Sequence, residues 1–285
     1  MGKVAVIGMV GNSAFLSVDQ FHRAGETVAA KQIHFEPGGK GFNQAVAAAR
    51  FGADVSFLGA VGVEHYEQIA SFLKEDGIKS LLPRKNASTA YAVILTDAKG
   101  ANQVTVYQGA RLTPEDVDAY EPEIAQADVL ILNNEVPENV NIRAVELAKR
   151  YGTFVILNPA PAVKLHDSVI RGVDLFTPNE HEMLGLESAE NLIVTLGSKG
   201  CYVKALDTTV DALAVDVVVD TTGAGDTFNG VLAAELADKK QLISAVQMAV
   251  AASGVSVTRP FAATAIPFDD EVYDYLENCK PKTEF

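Results

Sequence analysis

The chain has 285 residues, of which 48% are hydrophobic and 21% charged, and its formal net charge at pH 7 is −14. This composition is that of a folded globular protein and argues against intrinsic disorder. The negative charge argues against nucleic acid and anionic membranes as partners. The length suits one large domain with a substantial core, so we expect a single α/β domain over residues 1–285.

The chain begins with a short apolar run, Val4–Ile7, which predicts a buried strand. The run is too short for a signal-peptide core or a membrane span. The two cysteines, Cys201 and Cys279, lack the spacing of metal ligands, which favours reduced, incidental thiols. Nothing in the sequence marks secretion, and we therefore expect a cytoplasmic protein.

Short apolar runs alternate with helical patterns along the chain, which predicts βαβ units around a mostly parallel sheet. The predicted strands are Val4–Ile7, Val55–Leu58, Val129–Leu132, Thr153–Leu157, Leu175–Phe176, Leu192–Thr195 and Cys201–Lys204. The predicted helices are Gly41–Arg50, Tyr66–Asp76, Asn139–Tyr151, Gly225–Asp238 and Gln241–Val257.

Two segments break this alternation of strands and helices. Residues 15–35 and 89–107 read as extended, and Thr89–Leu95 shows alternating polarity. Alternation predicts strands with one covered face. The strands belong either to a small separate sheet or to the edge of the main sheet.

A glycine-rich motif, Pro37-Gly38-Gly39-Lys40-Gly41-Phe42-Asn43, leads into the first predicted helix. Its glycines permit close backbone approach, and Lys40 and Asn43 supply hydrogen-bond donors to a polyhydroxylated ligand. The motif has neither the P-loop nor the dinucleotide-binding spacing, so by itself it is weak evidence.

A second motif, Asp220-Thr221-Thr222-Gly223-Ala224-Gly225-Asp226, follows the apolar run Val215–Val219 and leads into another predicted helix. Two glycines let the backbone turn sharply, and a helix N-terminus offers free N–H groups to an anion. A carboxylate beside such an anion hole can take the proton of a hydroxyl that attacks a phosphoryl group. The alternative is an aspartate that only caps the helix.

The two motifs, roughly 180 residues apart, together resemble the two signatures of the ribokinase-like (PfkB-type) carbohydrate kinases, and within them the ribokinase branch. The resemblance covers nearly the whole chain. It implies a three-layer α/β sandwich and a small β-sheet lid over the sugar, formed by about residues 12–36 and 88–108 and used for homodimerisation. Further blocks in ribokinase order are Gly25–Val28, Leu157–Pro161, Thr177–Glu180 and Val194–Gly200.

The resemblance implies an ATP-dependent sugar kinase that uses Mg²⁺. Asp226 is then the base, and the amides of Gly223, Ala224, Gly225 and Asp226 stabilise charge on the transferred phosphoryl group. Asn179 and Glu182 resemble the family element that organises Mg²⁺, with Glu182 acting through water. We expect both on one helical turn, facing the same way, in a segment with room for one helix and a turn.

The nucleotide-binding positions implied by the resemblance lie in the second half of the chain. Val250 belongs to an apolar helix, for which simple core packing is the alternative. The implied positions are Asn179, Thr195, Gly197, Ser198, Gly200, Gly225, Val250 and Ser253.

The sugar-binding positions implied by the resemblance are Gly39, Lys40, Asn43, Glu135 and Asp226. Ribokinases also carry an Asn and an Asp after the first strand, which bind vicinal hydroxyls. Gly11 and Ser13 stand at these positions here, with Asn12 between them. A serine hydroxyl makes a weaker and differently shaped contact than a carboxylate.

The identity of the acceptor therefore stays open at the level of sequence. Ribose or a related pentose is the expected acceptor. Another sugar, a nucleoside, and a non-catalytic sensor of sugar or nucleotide are the alternatives.

Ribokinases also bind K⁺ beside the anion hole through backbone carbonyls, which match those of Asp220 and Thr222. The distal part of that site uses an RKGA-like turn, and this chain has Arg259-Pro260-Phe261-Ala262 there. Because proline and phenylalanine have less backbone freedom than glycine, K⁺ activation stays open.

Overall fold

The computed structural model describes residues 1–98 and 101–278. Its strands are β1 Lys3–Ile7, β2 Gly11–Ser17, β3 Gln32–Gly38, β4 Asp54–Leu58, β5 Val61–Gly62, β6 Lys79–Leu81, β7 Arg84–Lys85, β8 Ala90–Thr96, β9 Asn102–Tyr107, β10 Val129–Asn133, β11 Phe154–Asn158, β12 Leu175–Phe176, β13 Ile193–Thr195, β14 Cys201–Val203 and β15 Thr208–Val210. Its α-helices are α1 Lys40–Arg50, α2 Tyr66–Glu75, α3 Pro114–Ala119, α4 Glu121–Gln126, α5 Glu138–Tyr151, α6 Asp167–Gly172, α7 Ala224–Ala237, α8 Leu242–Ser256 and α9 Asp269–Asn278. The predicted strands and helices are confirmed, each to within one residue at either end.

A parallel sheet with the strand order β12-β11-β10-β1-β4-β6 forms the centre of the molecule. In register, Val6 of β1 lies between Ile131 of β10 and Phe57 of β4. Both faces of such a sheet are covered, which explains why β1 and β10 are almost uninterrupted apolar runs. The predicted strands β13 and β14 instead form a small antiparallel sheet with β15.

The hydrophobic core consists of two clusters, one on each face of the central sheet. One cluster contains side chains of α1, α2, α7, α8 and α9, and the other contains side chains of α3 to α6. Helices α1 and α7 cross in unusually close contact at Gly230, where an added Cβ would overlap the carbonyl oxygen of Gln44. This crossing brings the two glycine-rich motifs together.

The segments that break the alternation form a separate four-stranded sheet of order β3-β2-β8-β9, which confirms the predicted lid. They are not edge strands of the main sheet. The expected extended structure over residues 15–35 is wrong in its middle, because residues 18–31 contain no strand. That stretch has a left-handed glycine, Gly25 (φ 85°), and is largely exposed, so it has no covered face to support a strand.

The helix expected after Asn179 is also absent, because residues 178–192 form successive turns. Backbone bonds of 3.1, 2.9 and 3.0 Å close these turns at Glu182, Leu186 and Ala189. Gly185, with φ 76°, interrupts any continuous helical path, and the buried Leu186 anchors the segment to the core.

Cys201 is a buried free thiol, and burial raises its pKa to about 11, as expected for an incidental cysteine. Cys279 lies outside the described residues. Within residues 1–98 and 101–278, no helix combines the length and hydrophobicity needed to span a bilayer.

Candidate active site

Most of the predicted catalytic and sugar-binding residues lie near the carboxyl ends of β1 and β10, where open parallel sheets usually bind ligands. Two helices begin there, and each starts after a glycine with positive φ. Gly39 (φ 106°) precedes α1, and Gly223 (φ 78°) precedes α7. The N-terminus of α7 therefore offers first-turn amides to this region, whereas the N–H groups of Lys40 and Phe42 in α1 are bonded to Glu135 and Met9.

The carboxylate of Asp226 is the centre of this site. It lies in the first turn of α7 and is only 6% exposed. Its Oδ2 accepts a hydrogen bond of 3.0 Å from Asn43 Nδ2, and its Oδ1 accepts one of 3.1 Å from Gln44 Nε2. Sequence reasoning missed Gln44, although a polar amide inside the alanine-rich α1 is a usable signal.

Glu135 closes the site from the end of β10. Its Oε2 accepts a 2.7 Å hydrogen bond from the backbone N–H of Lys40, so this carboxylate caps the start of α1. Its own backbone N–H donates to Asn133 Oδ1 at 3.1 Å. Burial raises the pKa of Glu135 to about 7, against the opposing attraction of Lys40.

The ammonium group of Lys40 lies among three carboxylates. The carboxylate of Asp226 is the main cause of a raised pKa for Lys40, burial opposes it, and Glu135 and Glu182 add smaller attractions. One cation therefore faces residues from α7, from the end of β10 and from the turn after β12. The charges of Glu135, Glu182 and Asp226 thus all act on Lys40.

Two buried acceptors have no partner among the described residues: Asn43 Oδ1 on α1, beside Asp226, and Asn12 Oδ1 at the start of β2. By strand alternation, Asn12 lies on the opposite face of the lid from Ser13. A buried acceptor without a partner costs free energy, which a ligand hydroxyl can recover. Gly11 has no side chain to offer a ligand. Only glycine fits at this position, because an added Cβ would overlap the backbone of Ala90.

Ser13 is buried on β2, directly opposite Glu36 of β3, so both side chains lie on the same face of the lid. The carboxylate of Glu36 is already occupied. Its Oε1 accepts the backbone N–H groups of Ala262 (2.9 Å) and Ala263 (3.0 Å). Its Oε2 accepts the N–H (3.1 Å) and the hydroxyl (2.9 Å) of Thr264. Glu36, which sequence reasoning missed, thus ties the lid to the segment after α8.

The turn before α7 is held by its own side chains. Asp220 Oδ1 accepts the N–H (2.9 Å) and the hydroxyl (2.7 Å) of Thr222. The N–H of Ala224 donates to Thr221 O at 3.3 Å, so this amide is partly occupied. Ser253 Oγ on α8 donates to Ala224 O at 3.1 Å, which brings one predicted nucleotide-binding residue to the predicted anion hole.

The apolar run before this turn is not a buried strand. Val217, Val218 and Val219 are 53–63% exposed and have no assigned strand partner within the described part of the chain. The run contacts α8 through the bond of Val219 N to Val257 O (2.8 Å).

Asn179 and Glu182 lie on one isolated turn and not on the helical turn that the spacing predicted. Glu182 Oε2 accepts the N–H of Asn179 at 3.0 Å, and Asn179 Oδ1 accepts the N–H of His181 at 2.8 Å. Both side chains therefore fold back on the turn's own backbone. Asn179 also forms a parallel bridge with Thr195, which places these predicted residues side by side.

The remaining predicted nucleotide-binding residues lie near the small antiparallel sheet. Gly197 and Ser198 belong to a 3₁₀ turn that Gly200 closes, with Gly200 N bonded to Gly197 O at 3.0 Å. Val250 lines a cavity of about 1010 Å³ together with residues of the segment 208–214. Within the described part of the chain, no hydrogen bond joins the Gly197–Gly200 turn to the first turn of α7.

The segment Arg259–Ala262 contains no glycine, but one of its residues has the left-handed backbone conformation that glycine usually adopts. Phe261 has φ 74° and its N–H donates to Asp220 Oδ2 at 3.2 Å. Its ring stacks on His34 of the lid, with 3.8 Å between the ring centroids. A left-handed non-glycine residue costs roughly 1–2 kcal/mol, which these contacts offset.

A buried carboxylate between two helix N-termini, beside a lysine and a turn of free amides, suits transfer of a phosphoryl group to a hydroxyl. The model of the pfkB family of carbohydrate kinases matches residues 1–269. The ribokinase of Haemophilus influenzae is 32% identical over 96% of this chain and 98% of its own length.

Solved structures give the same result. The ribokinase of Thermotoga maritima has a TM-score of 0.87 and 31% identity, over 98% of this chain and all of its own. The ribokinase of Arabidopsis thaliana, complexed with ribose and ATP, has a TM-score of 0.83 and 25% identity over 97% of this chain and 99% of its own. The chain belongs to the pfkB family of carbohydrate kinases. It is a phosphotransferase that acts on an alcohol group.

Proposed function

We propose that this enzyme uses ATP to phosphorylate a hydroxyl of ribose or of a closely related pentose. The main support is the carboxylate of Asp226, buried at the start of α7 with each oxygen held by a donor from α1. The similarity to the Arabidopsis ribokinase, which was solved with ribose and ATP, supports the choice of both substrates.

In this mechanism Asp226 takes the proton of the sugar hydroxyl as the oxygen attacks the γ-phosphoryl group. Each carboxylate oxygen has a lone pair left after accepting from Asn43 or Gln44, so one can still receive the hydroxyl proton. The N–H groups of Gly223, Gly225 and Asp226 stabilise the charge that develops on the phosphoryl oxygens. Ala224 joins them only if its bond to Thr221 is shared or broken.

Lys40 and Glu135 complete the sugar side, with Gly39 allowing the backbone to approach. The buried acceptor Asn43 Oδ1 suits a hydroxyl donor, whereas Asn12 lies on the opposite face of β2 from Ser13. Ser13 supplies a weaker contact than a carboxylate would, and Glu36 is too fully bonded to replace it. We infer that discrimination among pentoses is looser than in a site with a free carboxylate at this position.

Oxygen ligands such as those of Glu182 and Asn179 suit Mg²⁺. In the described part of the chain, no group of three or more His, Cys, Asp or Glu side chains is arranged to hold a metal. Mg²⁺ characteristically binds through substrate phosphates and water with only one or two carboxylates, so the residues present fit it. When bound, Mg²⁺ would neutralise charge on the nucleotide phosphates, and Glu182 would hold it through a water molecule.

For K⁺, the backbone carbonyls of Asp220 and Thr222 remain the proposed ligands. The left-handed Phe261 supports this proposal, because the turn keeps the conformation that glycine would take. Measuring turnover in K⁺ against Na⁺ at equal ionic strength tests it. Equal rates in the two salts would argue against a K⁺ site.

We also propose that the lid pairs with that of a second copy of the chain. One face of the lid carries the apolar side chains of Ile33, Phe35, Val93 and Tyr107, which are 37–59% exposed and lie on one side by the strand register. Such a patch is typical of an interface. Sedimentation velocity of the wild-type chain tests this proposal, and a monomer at micromolar concentration would contradict it.

The function is tested by coupled ADP release across ribose, 2-deoxyribose, other pentoses, hexoses and nucleosides. We expect the highest kcat/KM with a pentose. Asp226→Asn should keep ATP affinity and lose kcat by at least the 10²–10⁴-fold typical of a general base. Near-normal turnover in this variant would show that Asp226 is not the base. Tight sugar binding without turnover on any acceptor would instead identify a sensor.

A further inference from the structure

The side chain of Gln44 contacts Asp226, and the mechanism above treats it only as a hydrogen-bond donor to that carboxylate. It is completely buried on α1. Its Nε2 donates to Asp226 Oδ1 at 3.1 Å and lies 3.4 Å from Asn158 Oδ1. Its Oε1 accepts from Asn133 Nδ2 at 3.4 Å. The amide of Gln44 is therefore fully used, by one residue of the site and by the ends of β10 and β11.

The position of Gln44 is fixed by backbone packing. Helix α7 passes so close to α1 that only glycine fits at Gly230, against the carbonyl of Gln44. A shift of either helix would pull the two backbones apart or force them into a steric clash. The distance between the amide of Gln44 and the carboxylate of Asp226 is thus set by the helix crossing and not by a flexible surface side chain.

The hydrogen bonds that leave Gln44 return to the same helix turn. Asn158 Nδ2 donates to Thr177 O at 3.0 Å, and Thr177 Oγ1 donates to Asn229 Oδ1 at 2.5 Å. Asn229 Nδ2 then donates to Gly225 O at 2.8 Å. The network therefore begins at Asp226 and ends at its neighbour Gly225. Buried networks that are fully satisfied make their members rigid.

We propose that Gln44 is a positioning residue that fixes the plane of the Asp226 carboxylate and favours its ionised, proton-accepting form. A hydrogen bond donated to a carboxylate favours the charged state over the protonated one. With Asn43 on Oδ2 and Gln44 on Oδ1, rotation of the carboxylate would break both bonds. Since Gln44 is buried beneath the carboxylate, it acts through Asp226 and not on the substrate. This inference rests on the proposed role of Asp226.

The charged groups that face Asp226 come from three other places in the fold. They are Lys40 on α1, Glu135 after β10 and, through its effect on Lys40, Glu182 after β12. A substitution of Gln44 leaves all three in place. A change in the pH dependence of turnover then reports on the lost amide.

The test compares the full-length enzyme with Gln44→Met, which keeps the length and volume of the side chain but cannot donate. We expect kcat to fall roughly ten- to hundredfold, as for loss of a bond to a charged group. The acidic limb of the kcat/KM profile should move to higher pH by about one unit or more. ATP affinity, measured by calorimetry, should change less than about twofold, because Gln44 is completely buried and offers no surface to a ligand.

Gln44→Glu provides a second variant of the same shape, which addresses failure of the methionine variant to fold. It places a carboxyl group about 3 Å from Asp226, so the pair retains a proton to higher pH and the limb moves in the same direction. Asn158→Ala is the matched control. It removes buried hydrogen bonds of the same network but none to Asp226, so it should lower stability and leave the limb in place.

Because Glu135 titrates in the same cleft with a pKa of about 7, the profiles are repeated in a Glu135→Gln background. An unchanged acidic limb in folded Gln44→Met or Gln44→Glu overturns the proposal, and so does an equal shift in Asn158→Ala. If Asp226→Asn has lost turnover, that failure concerns Gln44 alone. If Asp226→Asn still turns over, the base itself was wrongly assigned.

Discussion

The two sides of the cleft differ in how completely their polar groups are paired. On the α7 side, the carboxylate of Asp226 and the amide of Gln44 use their hydrogen-bonding atoms within the protein. On the sugar side, Asn43 Oδ1 is buried without a partner among the described residues. The catalytic side is thus organised in advance, whereas the sugar side holds an acceptor that a substrate would satisfy.

Asn43 belongs to both sides, so we expect its removal to have a larger effect than a change at Glu36 or Glu135. Asn43→Ala loses the donor to Asp226 and the unpaired acceptor, and kcat/KM for the sugar should fall by roughly two to three decades. The free energy of unfolding should change by only about 1 kcal/mol, because a buried unpaired atom is removed and alanine favours a helix.

Initial-rate kinetics and urea unfolding measure both quantities for Asn43→Ala. The matched comparison is Gln44→Met, because both polar atoms of the Gln44 side chain have hydrogen-bond partners in the wild-type protein. If Asn43→Ala were the less stable of the two variants, the proposed difference in hydrogen-bond pairing between the two sides would be contradicted.

Glu36 tests whether the lid is attached to the segment after α8. Glu36→Gln leaves one acceptor oxygen for the four donors of residues 262–264, besides the contact of Glu36 Oε2 with His34 Nε2, and we expect stability to fall by roughly 2–3 kcal/mol. Equilibrium unfolding in urea measures this loss. Glu26→Gln, at an exposed position in the loop 18–31, is the control and should stay within about 0.5 kcal/mol of wild type. Equal stability of the two variants would show that Glu36 does not anchor the lid.

Glu135 gives a smaller effect that depends on pH. Its folded-state pKa is raised from 4.5 to about 7, so its contribution to stability is complete below pH 4.5 and is lost as pH rises through 7. Glu135→Gln cannot ionise and avoids this loss. The stability of the variant relative to wild type should therefore rise by roughly 1–3 kcal/mol between pH 5 and pH 8.

Guanidinium unfolding at both pH values measures this difference for Glu135→Gln. The exposed Glu138→Gln, three residues along the chain, should follow the wild-type curve. The opposite result is a difference in stability between Glu135→Gln and wild type that does not vary with pH. That result would show that ionisation of Glu135 costs the folded state no free energy.

Much of the fold was predictable because its signals are local. The apolar runs of β1 and β10 and the alanine-rich α1 follow from periodicity, and the structure places each within a residue. The prediction failed where local signals compete. The expected helix after Asn179 became turns around Gly185, and the centre of residues 15–35 became an exposed loop.

The chain's sequence by itself determined which chemistry was available. It placed Lys40, Asn43 and Asp226 in two glycine-rich motifs at helix starts, and it placed Glu135 after a strand. The tertiary structure alone decided which donors hold the carboxylate of Asp226 and which donors bond to the carboxylate of Glu36. These contacts join residues 182 and 226 positions apart, from Gln44 to Asp226 and from Glu36 to Ala262. Such pairs depend on how closely helices and sheets pack, and a local pattern carries no information about that distance.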